Sequence, residues 1–120
     1  MSGIQNVSAQ PIKPSVQLEQ LFEIAKAAHV SIQRNFENID PLIGVSQNMR
    51  ASGVPADVMT VDCLRTRRRI IFILHDHQPD TLNYQFTEMD TDPASEFQRL
   101  SVTEMTEKKF YEWVTDYFQA

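Results

Sequence analysis

The hexapeptide His75-Asp76-His77-Gln78-Pro79-Asp80 places two imidazoles and two carboxylates side by side. These side chains are ligands for zinc and related ions. On an extended chain His75 and His77 point the same way, and Asp80 follows through the turn, so the three are candidate metal ligands. No further residue can be assigned to complete such a site, and Asp and Pro in a turn already have a structural reason to be there. A second acidic group, Glu88, Asp90 and Asp92, lacks the spacing and the glycine of a calcium loop. At about 3.3 Å per strand residue it lies on the order of 25 Å from the histidines, at the other end of a predicted strand.

Acid-base or nucleophilic chemistry needs a base within hydrogen-bond reach of an activated group. The chain offers His29, His75, His77 and the lone Cys63. His29 falls beside the apolar stripe of a predicted helix. Cys63 falls inside a predicted strand, as a small buried hydrophobe, and the expected strand pairing sets His75 well beyond its level. The glycines are Gly3, Gly44 and Gly53, and none opens a phosphate-cradling turn with a partner glycine. An enzyme is therefore the less favoured reading, and no cofactor is expected.

Arg65-Thr66-Arg67-Arg68-Arg69 concentrates four of the eleven basic residues at one strand connection, whereas the stretch from Asp76 to Asp116 is strongly acidic. The planar guanidinium fork binds carboxylates and phosphates bidentately, which favours a recognition patch. The intramolecular alternative is that these arginines pair with the domain's own carboxylates. Asn83 and Gln85, on the polar face of a strand with Thr81 and Thr87, extend the candidate partner-binding set of Arg65, Arg67, Arg68 and Arg69.

The elements that must position these residues follow from periodicity. Residues 1–14 are rich in Ser, Gln, Asn and Pro and read as a flexible tail, leaving 15–120 as a single domain. Leu18, Leu21, Phe22, Ala25, Ala28, Ile32 and Phe36 recur at helical spacing after a Ser15 cap. Asp40-Pro41 and Gly53 bracket a shorter second helix over Pro41–Ser52. The period then changes to two. Strands are predicted around Val58–Leu64, Ile70–Leu74, Thr81–Thr87 and Phe97–Val102, with the continuous apolar run Ile70–Leu74 central and covered on both faces. Ser101 and Glu104 have the spacing of a capping box. A final helix follows, whose stripe of Phe110, Trp113, Val114, Tyr117 and Phe118 packs on the sheet. Tyr111 lies partly off that stripe, at its wet edge. The predicted fold class is α+β, with two N-terminal helices, a roughly four-stranded antiparallel meander and a C-terminal amphipathic helix.

Composition narrows the function classes. A net charge of -5 opposes wholesale binding to nucleic acid or anionic membrane, although an RNA- or DNA-associated regulator using Arg65–Arg69 stays open as an alternative. No apolar run approaches the roughly 20 residues of a membrane span, and no secretory signal is legible, so a cytoplasmic location is expected. The leading reading is a non-catalytic interaction or regulatory domain that binds an acidic protein partner through the arginine turn. A metal sensor or metal-dependent enzyme using His75, His77 and Asp80 is the alternative from another class. The C-terminal helix is a candidate homodimer surface. In size, acidity and a helix-flanked sheet the chain resembles bacterial secretion chaperones and other partner-binding modules, a resemblance of architecture that implies no particular residue.

Overall fold

The computed structural model describes residues 15–119, so the expected tail 1–14 lies outside the described residues. The first helix, α1 (Val16–Asn35), starts where the sequence places its cap: the Ser15 hydroxyl accepts a 3.1 Å bond from the Leu18 amide. Its buried stripe is Leu18, Leu21, Ala25, Ala28 and Ile32.

The segment expected to form a second helix instead contains strand β1 (Leu42–Ser46) and a single helical turn, α2 (Asn48–Ala51). Ile43 and Val45 are β-branched and fall on one face of an extended chain, and β1 gains a full antiparallel ladder against β2 (Ala56–Cys63), from Leu42 opposite Asp62 to Ser46 opposite Val58. Gly44 sits where a Cβ would come within 3.1 Å of the Thr60 hydroxyl, so the bare backbone allows this close pairing. Gly53, at φ 98°, takes the left-handed conformation that reverses the chain after α2.

Strands β3 (Arg68–His75), β4 (Thr81–Glu88) and β5 (Gln98–Ser101) complete a five-stranded antiparallel meander in the order β1-β2-β3-β4-β5. The apolar run Ile70–Leu74 is in the middle strand, as its composition predicts. After β5 comes a 3-10 turn, Val102–Glu104, and then α3 (Glu107–Gln119). The Ser101/Glu104 capping box does not form: Ser101 makes no capping bond, and its hydroxyl lies 2.9 Å from that of Thr103. Thr106 caps α3 instead, accepting from the Lys109 amide at 3.1 Å.

Both long helices lie on one face of the sheet. There Met59, Val61, Ile70, Phe72, Leu74 and Leu82 are buried against α1 and α3. The α3 stripe is core, with Phe110, Val114 and Phe118 buried and the Trp113 ring lying parallel to Phe72 and 4.6 Å from Tyr84. Tyr111 is half-buried, and its hydroxyl accepts from the Asn35 amide at 3.0 Å. The opposite face carries Thr60 and Asp62 of β2, Arg69, Ile71 and Ile73 of β3, Asn83 and Gln85 of β4 and Arg99 of β5, and neither long helix of the described residues covers it. The middle strand, expected to be covered on both faces, is packed by the described helices on one side only: Ile70, Phe72 and Leu74 face them, while Ile73 on the other side is only half-buried.

Candidate binding site on the open sheet face

The five-residue turn predicted to recognise a partner is built into the fold. Arg65 donates to the Phe118 carbonyl at 2.8 Å and to the Asn38 carbonyl at 3.3 Å. Arg68 donates to the Tyr117 carbonyl at 2.7 Å and lies over the Tyr117 ring. Together they cap the C-terminus of α3, where the last carbonyls lack helical partners and the helix dipole favours cations. Arg67, held at φ 62°, forks onto Asp90 at 2.7 and 3.1 Å, and each partner shifts the other toward its charged form, Arg67 up and Asp90 down. Arg69 forks onto Asp62, its cross-strand neighbour, at 2.7 and 2.8 Å. All four guanidiniums therefore have intramolecular partners, and Arg67 is the most exposed of these side chains for which an ion pair is formed.

Arg50 follows the same pattern at the other end of the sheet. It bridges the fully buried Asp57, at 2.9 and 3.1 Å, and Asp76, at 2.8 Å through two nitrogens. Its hydrogen bonds hold the Asp76 carboxyl below the usual carboxylate range. Asp57 also lies 3.5 Å from the Ser15 amide at the start of α1, so one arginine ties the first helix, α2 and the β3–β4 turn together.

The histidine turn is separated by this arrangement. Asp76 belongs to Arg50, His77 and Asp80 are exposed, and His75 is half-buried at the end of β3. Among the described residues no group of three or more His, Cys, Asp or Glu is placed to hold a metal ion. Cys63 is buried.

What the sequence did not single out is a groove of about 580 Å³ on the helix-free face. Its floor is a cross-strand row, Ile73 opposite Asn83 and Asn83 opposite Arg99, which the meander aligns across β3, β4 and β5. The β4–β5 connection forms one wall with Ser95, Glu96 and Phe97, while His75 and Gln78 close the end. Gln85 holds that wall in place: its amide donates to the Ala94 and Glu96 carbonyls at 3.1 and 2.9 Å and accepts from the Ala94 amide at 2.9 Å. The two polar residues predicted on β4 thus divide, with Asn83 lining the groove and Gln85 bound to its wall.

Arg99 differs from the other strand arginines. Arg34 and Arg99 are the described arginines whose guanidinium makes no hydrogen bond or ion pair with another described residue. Both are exposed, Arg34 on the last turn of α1 and Arg99 on the groove; Glu96 lines the groove too but forms no ion pair with Arg99. The volume is in the range of small-ligand and peptide-anchor sites, and the lining offers a guanidinium fork and two amides beside the apolar side chains of Ile73 and Phe97. Ser95 and His75 share the groove without a hydrogen bond between them, so no nucleophile-base pair is assembled.

Counting register across two turns of the meander would have located the Ile73–Asn83–Arg99 row. The wall from Asp90 to Phe97 has no periodicity from which its path could be read. No family model, curated protein or solved structure matches the chain. Among the described residues no helix is long and apolar enough to cross a membrane.

Proposed function

We propose that this protein is a non-catalytic interaction or regulatory module that binds an acidic segment of a protein partner on the helix-free face of its sheet. Arg99 is the anchor, Asn83, Gln78 and His75 supply further polar contacts, and Ile73 and Phe97 receive an apolar neighbour of the acidic side chain. The observation that carries this reading is a guanidinium with no partner among the described residues, in a groove of about 580 Å³, on a sheet whose other described strand arginines, Arg68 and Arg69, both have one. A carboxylate-bearing segment gives that fork the bidentate acceptor it lacks. The net charge of -5 disfavours a polyanion such as RNA, whose many phosphates would meet a mostly acidic surface, and favours a short segment that presents a single carboxylate to the Arg99 guanidinium.

An array of octapeptides carrying a central Asp or Glu beside an apolar residue tests the reading. Wild-type protein retains a subset, Arg99→Glu loses that subset, and Arg67→Glu keeps it. Retention of the same peptides by Arg99→Glu overturns the assignment.

A further inference from the structure

The two edges of the sheet are treated differently. The β5 edge is four residues long, bears Gln98 and Arg99, and is flanked by the wall that Gln85 pins. Short, charged and partly covered edges resist further strand pairing. The β1 edge, Leu42-Ile43-Gly44-Val45-Ser46, has no charge, no proline and no bulge, and among the described residues it pairs with β2 alone. Leu42 and Val45 are 45% and 46% exposed, and Val45 opens onto an apolar cleft with Leu18 and Phe22 of α1. In a chain where 22% of residues are charged, five consecutive uncharged residues on an open edge call for a partner.

We infer that β1 pairs antiparallel with β1 of a second copy about a two-fold axis through Gly44, joining two sheets into one of ten strands. The segment is self-complementary in that register. Ile43 stands opposite Val45 of the second copy on the helix side, Leu42 stands opposite Ser46 on the open side, and glycine meets glycine at the axis, so no like charges face each other along the segment. An isologous contact of this kind closes on itself and leaves no free edge to propagate.

A two-fold axis perpendicular to the sheet keeps both helix-free faces on one side. At about 4.8 Å per strand the two Arg99 grooves are then roughly 30–35 Å apart on a continuous surface. If the grooves bind as proposed above, a partner with two acidic segments gains from both at once. The pairing itself does not depend on that reading.

Sedimentation equilibrium of the full chain, up to several hundred micromolar, is the test. The wild type is expected at twice its 13.8 kDa mass and Val45→Lys at the monomer mass with an unchanged far-ultraviolet circular dichroism spectrum. Because Val45→Lys also alters the edge strand itself, Leu42→Cys/Ser46→Cys provides a second readout. Facing positions lie about 4.5–5.5 Å apart at Cα, within disulfide reach, so this double variant cross-links on oxidation and Leu42→Cys alone does not. A monomeric wild type overturns the inference, as does a dimer that persists in Val45→Lys or a double variant that fails to cross-link. An octapeptide retained by a monomeric wild type would leave the groove reading standing while this one fails.

Discussion

Phe72 and Ile73 are neighbours in the central strand and face opposite sides of one sheet. Phe72 is enclosed by Phe110 and Trp113. Ile73, on the other side, is half-buried in the floor of an open groove. The arginines divide between the same two conditions: Arg65 and Arg68 close the end of a helix, Arg69 grips Asp62, and Arg99 grips nothing among the described residues. Partner availability, and not charge density, separates the strand arginines that build this fold from Arg99, the one we propose as the binding anchor.

The largest contrast lies in the two neighbours. Phe72→Ala is expected to destabilise the protein by about 3–5 kcal/mol, whereas Ile73→Ala, at a site already open to water, costs about 1–2 kcal/mol in chemical denaturation. Equal losses would mean that the open face is covered in solution. Arg50→Ala comes next, at about 2–4 kcal/mol, because it strands the buried Asp57 carboxylate without its fork; the lower end allows for the part of Arg50 that reaches solvent.

Smaller still is the difference between two arginines of the open face. Asp62→Ala, which strips Arg69 of its partner, is expected to lower stability by about 1–2 kcal/mol, and Arg99→Glu to leave it within about 0.5 kcal/mol. A large loss in Arg99→Glu would show that its guanidinium has a structural role. The acid limb is the mildest effect. Asp76 and Asp90 are held below their usual value of 3.8 by Arg50 and Arg67, so the unfolded chain takes up their protons more readily than the folded one. Their contribution is complete above about pH 5 and is lost as the pH falls below 3.8 toward the folded values. The melting temperature should therefore be level from neutral to mildly acidic pH and drop below about pH 4, less steeply in Asp76→Asn/Asp90→Asn.

Much of this architecture was legible where periodicity and packing agree. The Ser15 cap, the stripes of α1 and α3, the four later strands and the central place of Ile70–Leu74 all follow from spacing. The Pro41–Ser52 segment did not, because Asp-Pro and Gly are start and stop signals shared by helices and turns, and the strand gains its stability from a ladder with residues beyond Pro55. The site was harder for a related reason. Arg65–Arg69 is conspicuous as a run, yet its partners Asp90, Tyr117 and Phe118 are more than twenty residues away, and no local pattern reveals whether a guanidinium is already engaged. Arg99 is inconspicuous because its significance comes from the register that sets it beside Asn83 and Ile73.

The central claim is most directly tested by following backbone amide resonances during titration with an acidic octapeptide from the array. The account predicts shifts concentrated at Ile73, His75, Asn83, Phe97 and Arg99, abolished in Arg99→Glu and small at residues 65–69. Shifts centred on residues 65–69 that survive Arg99→Glu would contradict it and return recognition to the arginine turn.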